Sequence, residues 1–317
     1  MEPTYRSLSY RRKPRRKKWF RLLLIAGIIV LLILAGAWWV LARQKAPRIA
    51  AHAAQQTATS SLAWPSFGQS AVGIVGESAV QTHGTQTPVP TASTAKLITA
   101  LVVLQKKPLS LGENGPTLTM TRDDLELLNK YIALDGSKIG KVMVGEKLSE
   151  YQILEAMLLP SANNMADSLA IWAYGSLPAY QEAANAYLAE HGLHGTRVGV
   201  DASGLDPSTV STAHDMVLIG ELVMQNPVLA EIVGKKSASG FPLIGTITNT
   251  NTLLGESGIV GIKTGNSDEQ GGAFVGAAHV TVNGKMETVV TAVLGASTLD
   301  EAMRSSVPLI NSVAVGE

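Results

Sequence analysis

Three short motifs carry between them the working parts of an acyl-transfer serine enzyme that needs no histidine. Ser93-Thr94-Ala95-Lys96 pairs a hydroxyl nucleophile with an amine three residues on. Ser161-Ala162-Asn163 adds a polar relay, and Lys263-Thr264-Gly265 ends an apolar approach with a second cation. A lone serine hydroxyl is a poor nucleophile at neutral pH and needs a base. An amine serves as that base when burial or a neighbouring cation holds its pKa down. Residues three apart at the start of a helix share a face, so Lys96 meets Ser93 without long-range folding. Taken singly, each motif has a plainer reading: a helix turn with a surface lysine, a loop marked by Pro160, a turn running into Asn266-Ser267-Asp268. Their order and local setting single them out.

The elements that must position these residues are legible around them. Leu97, Ile98, Leu101, Val102 and Leu104 recur at helical spacing, so a helix is expected over 93–104. Its amino-terminal end favours negative charge developing on the serine. Ser149-Glu150-Tyr151-Gln152 is a capping-box pattern that opens the helix leading to Pro160 and Ser161. Further helices are expected over 165–174, 177–190 and 212–225. Short strands over 71–75 and 79–82 pair around Gly76-Glu77-Ser78, and longer ones over 273–282 and 286–294 flank Asn283-Gly284, a strong hairpin signal. A helix over 299–313 closes the chain, kinked or split at Pro308. A strand through the third motif sets Lys263 and Gly265 on one side and Thr264 on the other. Gly265 then leaves room for a substrate backbone along the strand edge. This order reads as an α+β fold whose first and last parts share one antiparallel sheet. The helical middle is an inserted lobe, and a ligand cleft lies between the two.

The near-neutral total charge hides an asymmetry. Of 26 Lys and Arg residues, 12 precede position 49, where Glu2 is the single acid; the remainder carries 14 basic and 24 acidic residues. No nucleic-acid partner is inferred from the basic head, because the apolar run next to it accounts for its charge. Residues 22–41 are uncharged, built of Leu, Ile, Val, Ala, Gly and Trp. At about 1.5 Å per residue such a run spans roughly the 30 Å of a bilayer's hydrocarbon core. Arg11, Arg12, Lys13, Arg15, Arg16, Lys17, Lys18 and Arg21 precede it, which orients the amino terminus to the cytoplasm. Trp19, Trp38 and Trp39 stand where an interfacial aromatic belt belongs. A cleaved signal peptide ending at Ala51-His52-Ala53 is the alternative, but the apolar run exceeds the usual length of such signals. The expected organisation is a cytoplasmic basic segment 1–21, a transmembrane anchor 22–41, a flexible linker 42–65 and an extracytoplasmic domain 66–317, in a single-pass cell-membrane protein.

Cysteine is absent, which excludes disulfides, thiolate metal sites and cysteine catalysis. The six histidines are scattered; His191 and His194 read as a turn after a helix rather than as metal ligands. His214 beside Asp215 invites a triad with Ser93, but Ser211-Thr212-Ala213-His214-Asp215 reads first as a capped helix start. No phosphate loop or dinucleotide fingerprint occurs, so no cofactor and no metal are expected.

Together these residues resemble the serine D-alanyl-D-alanine carboxypeptidases, the low-molecular-mass penicillin-binding proteins, over about 70–296. Gly136-Ser137-Lys138-Ile139, Gly145-Glu146-Lys147-Leu148, Gly204-Leu205-Asp206, Ser211-Thr212-Ala213-His214-Asp215 and Asn249-Thr250-Asn251-Thr252-Leu253-Leu254 fall where that family's secondary motifs would. The resemblance implies a β-lactamase/transpeptidase-like fold, with a five-stranded antiparallel sheet flanked by helices and an all-helical lobe. It implies Ser93 as the acylated nucleophile, Lys96 as its base, and Ser161 and Asn163 as the second motif. Lys263, Thr264, Gly265 and Asn266 would form the substrate-binding strand, with the backbone amides of Ser93 and Asn266 as the oxyanion hole. The implied substrate is the peptidoglycan stem peptide, which loses its last D-alanine, and β-lactam antibiotics would be covalent inhibitors.

This chain departs from the family pattern at several points. Asn164-Met165 stands where Asp-Ala is usual, and Thr250 replaces an arginine that often assists carboxylate recognition. Arg304 is the candidate to compensate. The family's second β-rich domain and carboxy-terminal amphipathic anchor have no counterpart, so the span at 22–41 is expected to take the anchor's place. Two other functions use the same motifs. A β-lactamase shares the nucleophile and cationic strand, although no glutamate stands out as its second base. A catalytically silent wall-binding ectodomain would bind muropeptides without reacting with penicillin.

Overall fold

Antiparallel pairing organises the part of the chain that the computed structural model describes, residues 62–134, 138–267 and 271–314. The expected span at 22–41 and nearly all of the linker lie outside these residues, as do Gly136 and Ser137. The described chain opens with β1 (Gln69–Ile74) and β2 (Val80–His83), the pair expected around Gly76. Strand β3 (Val89–Pro90) leads into a 3-10 turn, Ala92–Ala95, and α1 (Lys96–Lys106). Then come β4 (Thr117–Thr119), α2 (Arg122–Leu134), β5 (Lys147–Ser149), α3 (Glu150–Leu158), α4 (Asn163–Tyr174) and α5 (Leu177–Glu190). Next are β6 (Val210–Ser211), α6 (Ala213–Gln225), α7 (Pro227–Val233), β7 (Ser237–Phe241) and β8 (Gly245–Thr248). Finally β9 (Ile259–Ser267), β10 (Gly271–Val282) and β11 (Lys285–Ala296) precede α8 (Leu299–Ala314).

The main sheet runs β2-β1-β11-β10-β9, so the last strand of the chain sits at its centre and β9 forms an edge. Register is set at both seams, with Gln69 opposite Leu294 and Lys263 opposite Val275. Asn283-Gly284 makes the β10–β11 turn, with Val282 facing Lys285. Residues 273–278 of β10 are all buried, because helices cover both faces of the sheet. A strand packed on both sides reads as a continuous apolar run instead of alternating. One face carries α6 through Met216, Val217 and Ile219, and merges with the core of the inserted lobe. The other packs Val72, Phe274, Val289 and Val293 under Ala302, Met303, Leu309 and Ile310 of α8.

Three expectations are corrected. The stretch expected as helix from Ser93 begins as a 3-10 turn and becomes α-helical at Lys96. The insertion is not all-helical: β3–β6, β4–β5 and β7–β8 form two-stranded ribbons within it. Helix α8 is not split at Pro308 but runs on to Ala314, because Arg304, whose carbonyl the proline leaves unpaired, lies on the exposed side while the apolar stripe stays docked. Elsewhere local signals hold. Ser149 accepts from the Gln152 amide at 3.1 Å while the Gln152 side chain accepts from the Ser149 amide at 3.0 Å, a complete capping box.

That capped end hides a titrating acid. Glu150 is buried and neither carboxylate oxygen finds a partner among the described residues. Burial pushes its carboxyl up to about 7, with Lys107 pulling weakly the other way. A raised carboxyl stabilises the fold while protonated, so its contribution is full at acid pH and is lost as pH rises through 7. Glu150→Gln should therefore gain on wild type by about 1–3 kcal/mol between pH 5 and pH 8. Urea unfolding at both pH values measures this; parallel stabilities of the two proteins would disprove it.

Candidate active site

Ser93 sits on the 3-10 turn and Lys96 is the first residue of α1. A 3-10 helix has three residues per turn, so positions i and i+3 eclipse and the amine rises directly over the hydroxyl. Lys96 Nζ donates to Ser93 Oγ at 2.9 Å, to Asn163 Oδ1 at 2.8 Å and to the Ser203 carbonyl at 2.9 Å. The lysine is fully buried and Ser93 is nearly so. Asn163 is the first residue of α4, so the amine ties two motifs together.

Ser161 precedes that helix in a left-handed backbone conformation, φ 69°, which costs a non-glycine residue about 1 kcal/mol. Its hydroxyl is buried and finds no partner among the described residues. Ala92, beside Ser93, is likewise left-handed at φ 46°. Strained backbone held this way marks places where the surrounding structure enforces a geometry.

Lys263 and Thr264 lie buried on the edge strand β9. Lys263 Nζ donates to the Thr264 carbonyl at 3.0 Å. Burial first, and then the amines of Lys96 and Lys138, hold Lys263 well below its ordinary range. Three amines therefore converge on one cleft, which suits an anionic ligand and disfavours protonating all of them together. A Cβ on Gly265 would lie 3.0 Å from the Thr91 carbonyl and 3.1 Å from the Thr94 amide, so its missing side chain admits the 3-10 turn that carries Ser93 against β9. Gly204 acts similarly from the other side, where a Cβ would come within 2.2 Å of the Ala92 carbonyl.

A buried acidic network stands behind the Ser203 carbonyl. Asp201 Oδ1 accepts from the amides of Ser203 at 2.9 Å and Gly204 at 2.6 Å. Asp167, one helical turn past Asn163, accepts from the Ala202 amide at 3.0 Å, from Tyr131 Oη at 2.7 Å and from Lys130 at 3.2 Å. Burial raises both the Asp167 carboxyl and the Tyr131 phenol, which keeps the phenol protonated as a donor. These residues are not legible in the sequence as site supports. The signal for Asp167 is its i+4 spacing from Asn163; nothing local in α2 announces that Tyr131 reaches it.

A family model described as D-alanyl-D-alanine carboxypeptidase matches residues 78–298. The chain belongs to the D-alanyl-D-alanine carboxypeptidase family. It is 34% identical over 196 residues to a D-alanyl-D-alanine carboxypeptidase of Mycobacterium tuberculosis, covering 60% of this chain and 62% of that protein. With a Streptomyces D-alanyl-D-alanine carboxypeptidase it shares 27% over 237 residues, 70% of this chain and 77% of that one. The match to an Escherichia coli D-alanyl-D-alanine carboxypeptidase spans half of that enzyme. Among solved structures, a Streptomyces DD-transpeptidase superposes with a TM-score of 0.67 at 26% identity, over 77% of this chain and 95% of its own. A Mycobacterium tuberculosis D-alanyl-D-alanine carboxypeptidase gives 0.66 at 28%, over 77% and 89%.

The departures at Asn164 and Thr250 have local accounts. Asn164 pairs through both amide atoms with the backbone of Gly140, accepting at 2.8 Å and donating at 2.9 Å. Thr250 shares a 2.5 Å hydrogen bond with the Thr264 hydroxyl and binds the Leu159 carbonyl, bracing β9 against the end of α3. Arg304 is exposed and paired with Asp300 along α8. His214 lies at the capped start of α6, bonded to Asp215, as the helix-start reading expects. His191 stacks on Tyr187 at 4.0 Å in the turn after α5.

Proposed function

We propose that this chain is a serine D-alanyl-D-alanine carboxypeptidase that removes the last D-alanine of peptidoglycan stem peptides through an acyl-enzyme on Ser93. The observation that carries this reading is the 2.9 Å contact between the Lys96 amine and the Ser93 hydroxyl in a buried site. Ser93 Oγ attacks the carbonyl carbon between the two D-alanines and its proton passes to Lys96. The tetrahedral oxyanion sits between the backbone amides of Ser93 and Asn266, each such donor lowering the barrier by about 3–4 kcal/mol in other serine enzymes. Collapse expels D-alanine, whose nitrogen takes a proton relayed by Lys96 and the unpartnered Ser161 hydroxyl. Lys263 and Thr264 hold the terminal carboxylate, and a carboxylate there returns charge to the depressed Lys263. Water then hydrolyses the ester.

The same chemistry makes β-lactams suicide substrates, since their strained amide acylates Ser93 and leaves no free amine to depart. Anchoring by the span at 22–41, amino terminus in the cytoplasm and catalytic domain outside, is supported by its length, lack of charge and preceding basic cluster.

Incubating the purified full chain with an N-acyl-peptide ending in D-Ala-D-Ala should liberate free D-alanine, and fluorescent penicillin should form an adduct lasting minutes or longer. A wild-type protein that releases no D-alanine and takes up no label rules out the enzyme; rapid loss of the label with penicilloate release points to a β-lactamase.

A further inference from the structure

Beyond the residues named by the three motifs, one side chain crosses the cleft. Lys138 follows α2 on the lobe side, and its carbonyl accepts the Asn163 amide at 2.8 Å. Two residues on, Gly140 is held by both amide atoms of Asn164. The segment is thus fastened to the first turn of α4, beside the second motif. From this base the Lys138 amine reaches the edge strand, donating to the Asn266 carbonyl at 2.8 Å and to Asn266 Oδ1 at 2.6 Å.

Strand geometry gives this grip its consequence. Within an antiparallel ladder the N–H and C=O of one residue point to the same side, and the side alternates from residue to residue. The carbonyls of Thr264 and Asn266, two apart, are both met by lysine amines. That edge of β9 therefore faces the cleft, and the Asn266 N–H faces it as well. We propose that Lys138 is a positioning residue: by holding the Asn266 side chain and the peptide that follows it, the two-point grip fixes Asn266 about its Cα and so limits rotation of the preceding peptide, whose N–H aims at the developing oxyanion above Ser93. The inference rests on the acyl-enzyme reading given above. A single hydrogen bond would let Asn266 rock about one axis; two acceptors on the same residue, one on the backbone and one on the side chain, stop it. Preorganisation of this kind matters because a donor stabilises an oxyanion only when it points at where charge will appear.

The test uses the full chain carrying Lys138→Met, Lys138→Arg, Asn266→Ala, and Lys138→Met with Asn266→Ala. The readouts are the second-order rate of penicillin acylation, kcat and KM for D-alanine release, and thermal melting. Lys138→Met should slow acylation and kcat by about 10- to 50-fold, below the loss from deleting an oxyanion donor outright, with KM within about threefold. Lys138→Arg should restore part of the rate. Asn266→Ala, which removes the side-chain half of the grip, should cost a smaller factor of about three to five. The double variant should be no slower than Lys138→Met alone, because both act through the one grip on Asn266. Acylation by Lys138→Met within twofold of wild type overturns the proposal, as do multiplying losses in the double variant or a rise in KM at constant kcat. If Lys138→Met melts far below wild type, Asn266→Ala decides alone, and an unchanged rate in it is fatal. Failure of the underlying enzyme reading looks different: the wild type itself is not labelled.

Discussion

Ser93→Ala protein should take up no fluorescent penicillin, and should release D-alanine at least about 10⁴-fold more slowly than wild type. On the acyl-enzyme reading the loss is this large because no bypass exists: every later step would begin from the ester on Ser93. Neighbouring hydroxyls do not substitute. Thr94 Oγ1 is committed to the Thr91 carbonyl at 2.7 Å, and Lys96 directs its amine to Ser93, Asn163 and Ser203. The fold should survive, since the change removes one oxygen from a site whose amine keeps two strong acceptors. Gel fluorescence for the label, enzymatic detection of D-alanine and a melting curve give the three readings together. A labelled, well-folded Ser93→Ala protein would place the nucleophile elsewhere.

Lys96→Met should be nearly as damaging to turnover, by about 10³-fold, while leaving the protein close to wild-type stability. General-base loss costs about 10²- to 10⁴-fold, and methionine matches the length of the side chain without offering or accepting the proton. Stability is set by two opposed effects. The Asn163 and Ser203 acceptors lose their partner, which costs about 1–3 kcal/mol for each buried group left unpaired. Against this, the cost of burying a polar amine disappears and methionine buries apolar surface in its place. That offsets much of the loss, so the melting temperature should move by only a few degrees. An unfolded Lys96→Met protein would mean that the amine serves chiefly as a structural donor; an active one would remove it as the base.

What is legible in the sequence divides along the range of the interactions. Features settled within one turn or one hairpin come through. Helix α5 has its expected bounds, Ser149 caps α3 with Gln152, and Asn283-Gly284 joins the long strands. The relation of Ser93 to Lys96 is of this kind, which is why the heart of the site is readable. Contacts made across the fold are not. The 3-10 turn at Ser93 accompanies the left-handed Ala92, and Gly204 from a loop and Gly265 from the edge strand, each over a hundred residues away, close on that turn. Helix α2 is absent from the sequence reading although Thr121 and Asp124 cap it reciprocally, at 2.7 Å from the Thr121 amide to Asp124. Gly265 illustrates the limit. Its place on the edge strand can be read from the motif, but only the packed structure reveals that it faces the protein's own backbone.

A ribosome makes this chain from the amino terminus, and the position of β11 between β1 and β10 dictates when the protein can become itself. Until residues 285–296 emerge, β1 and β2 have no central neighbour and β9 and β10 have no connection to them. Both halves of the sheet then wait with unpaired strand edges, the state most open to aggregation and proteolysis. The main sheet therefore closes late, when the last strand to be made takes its central place.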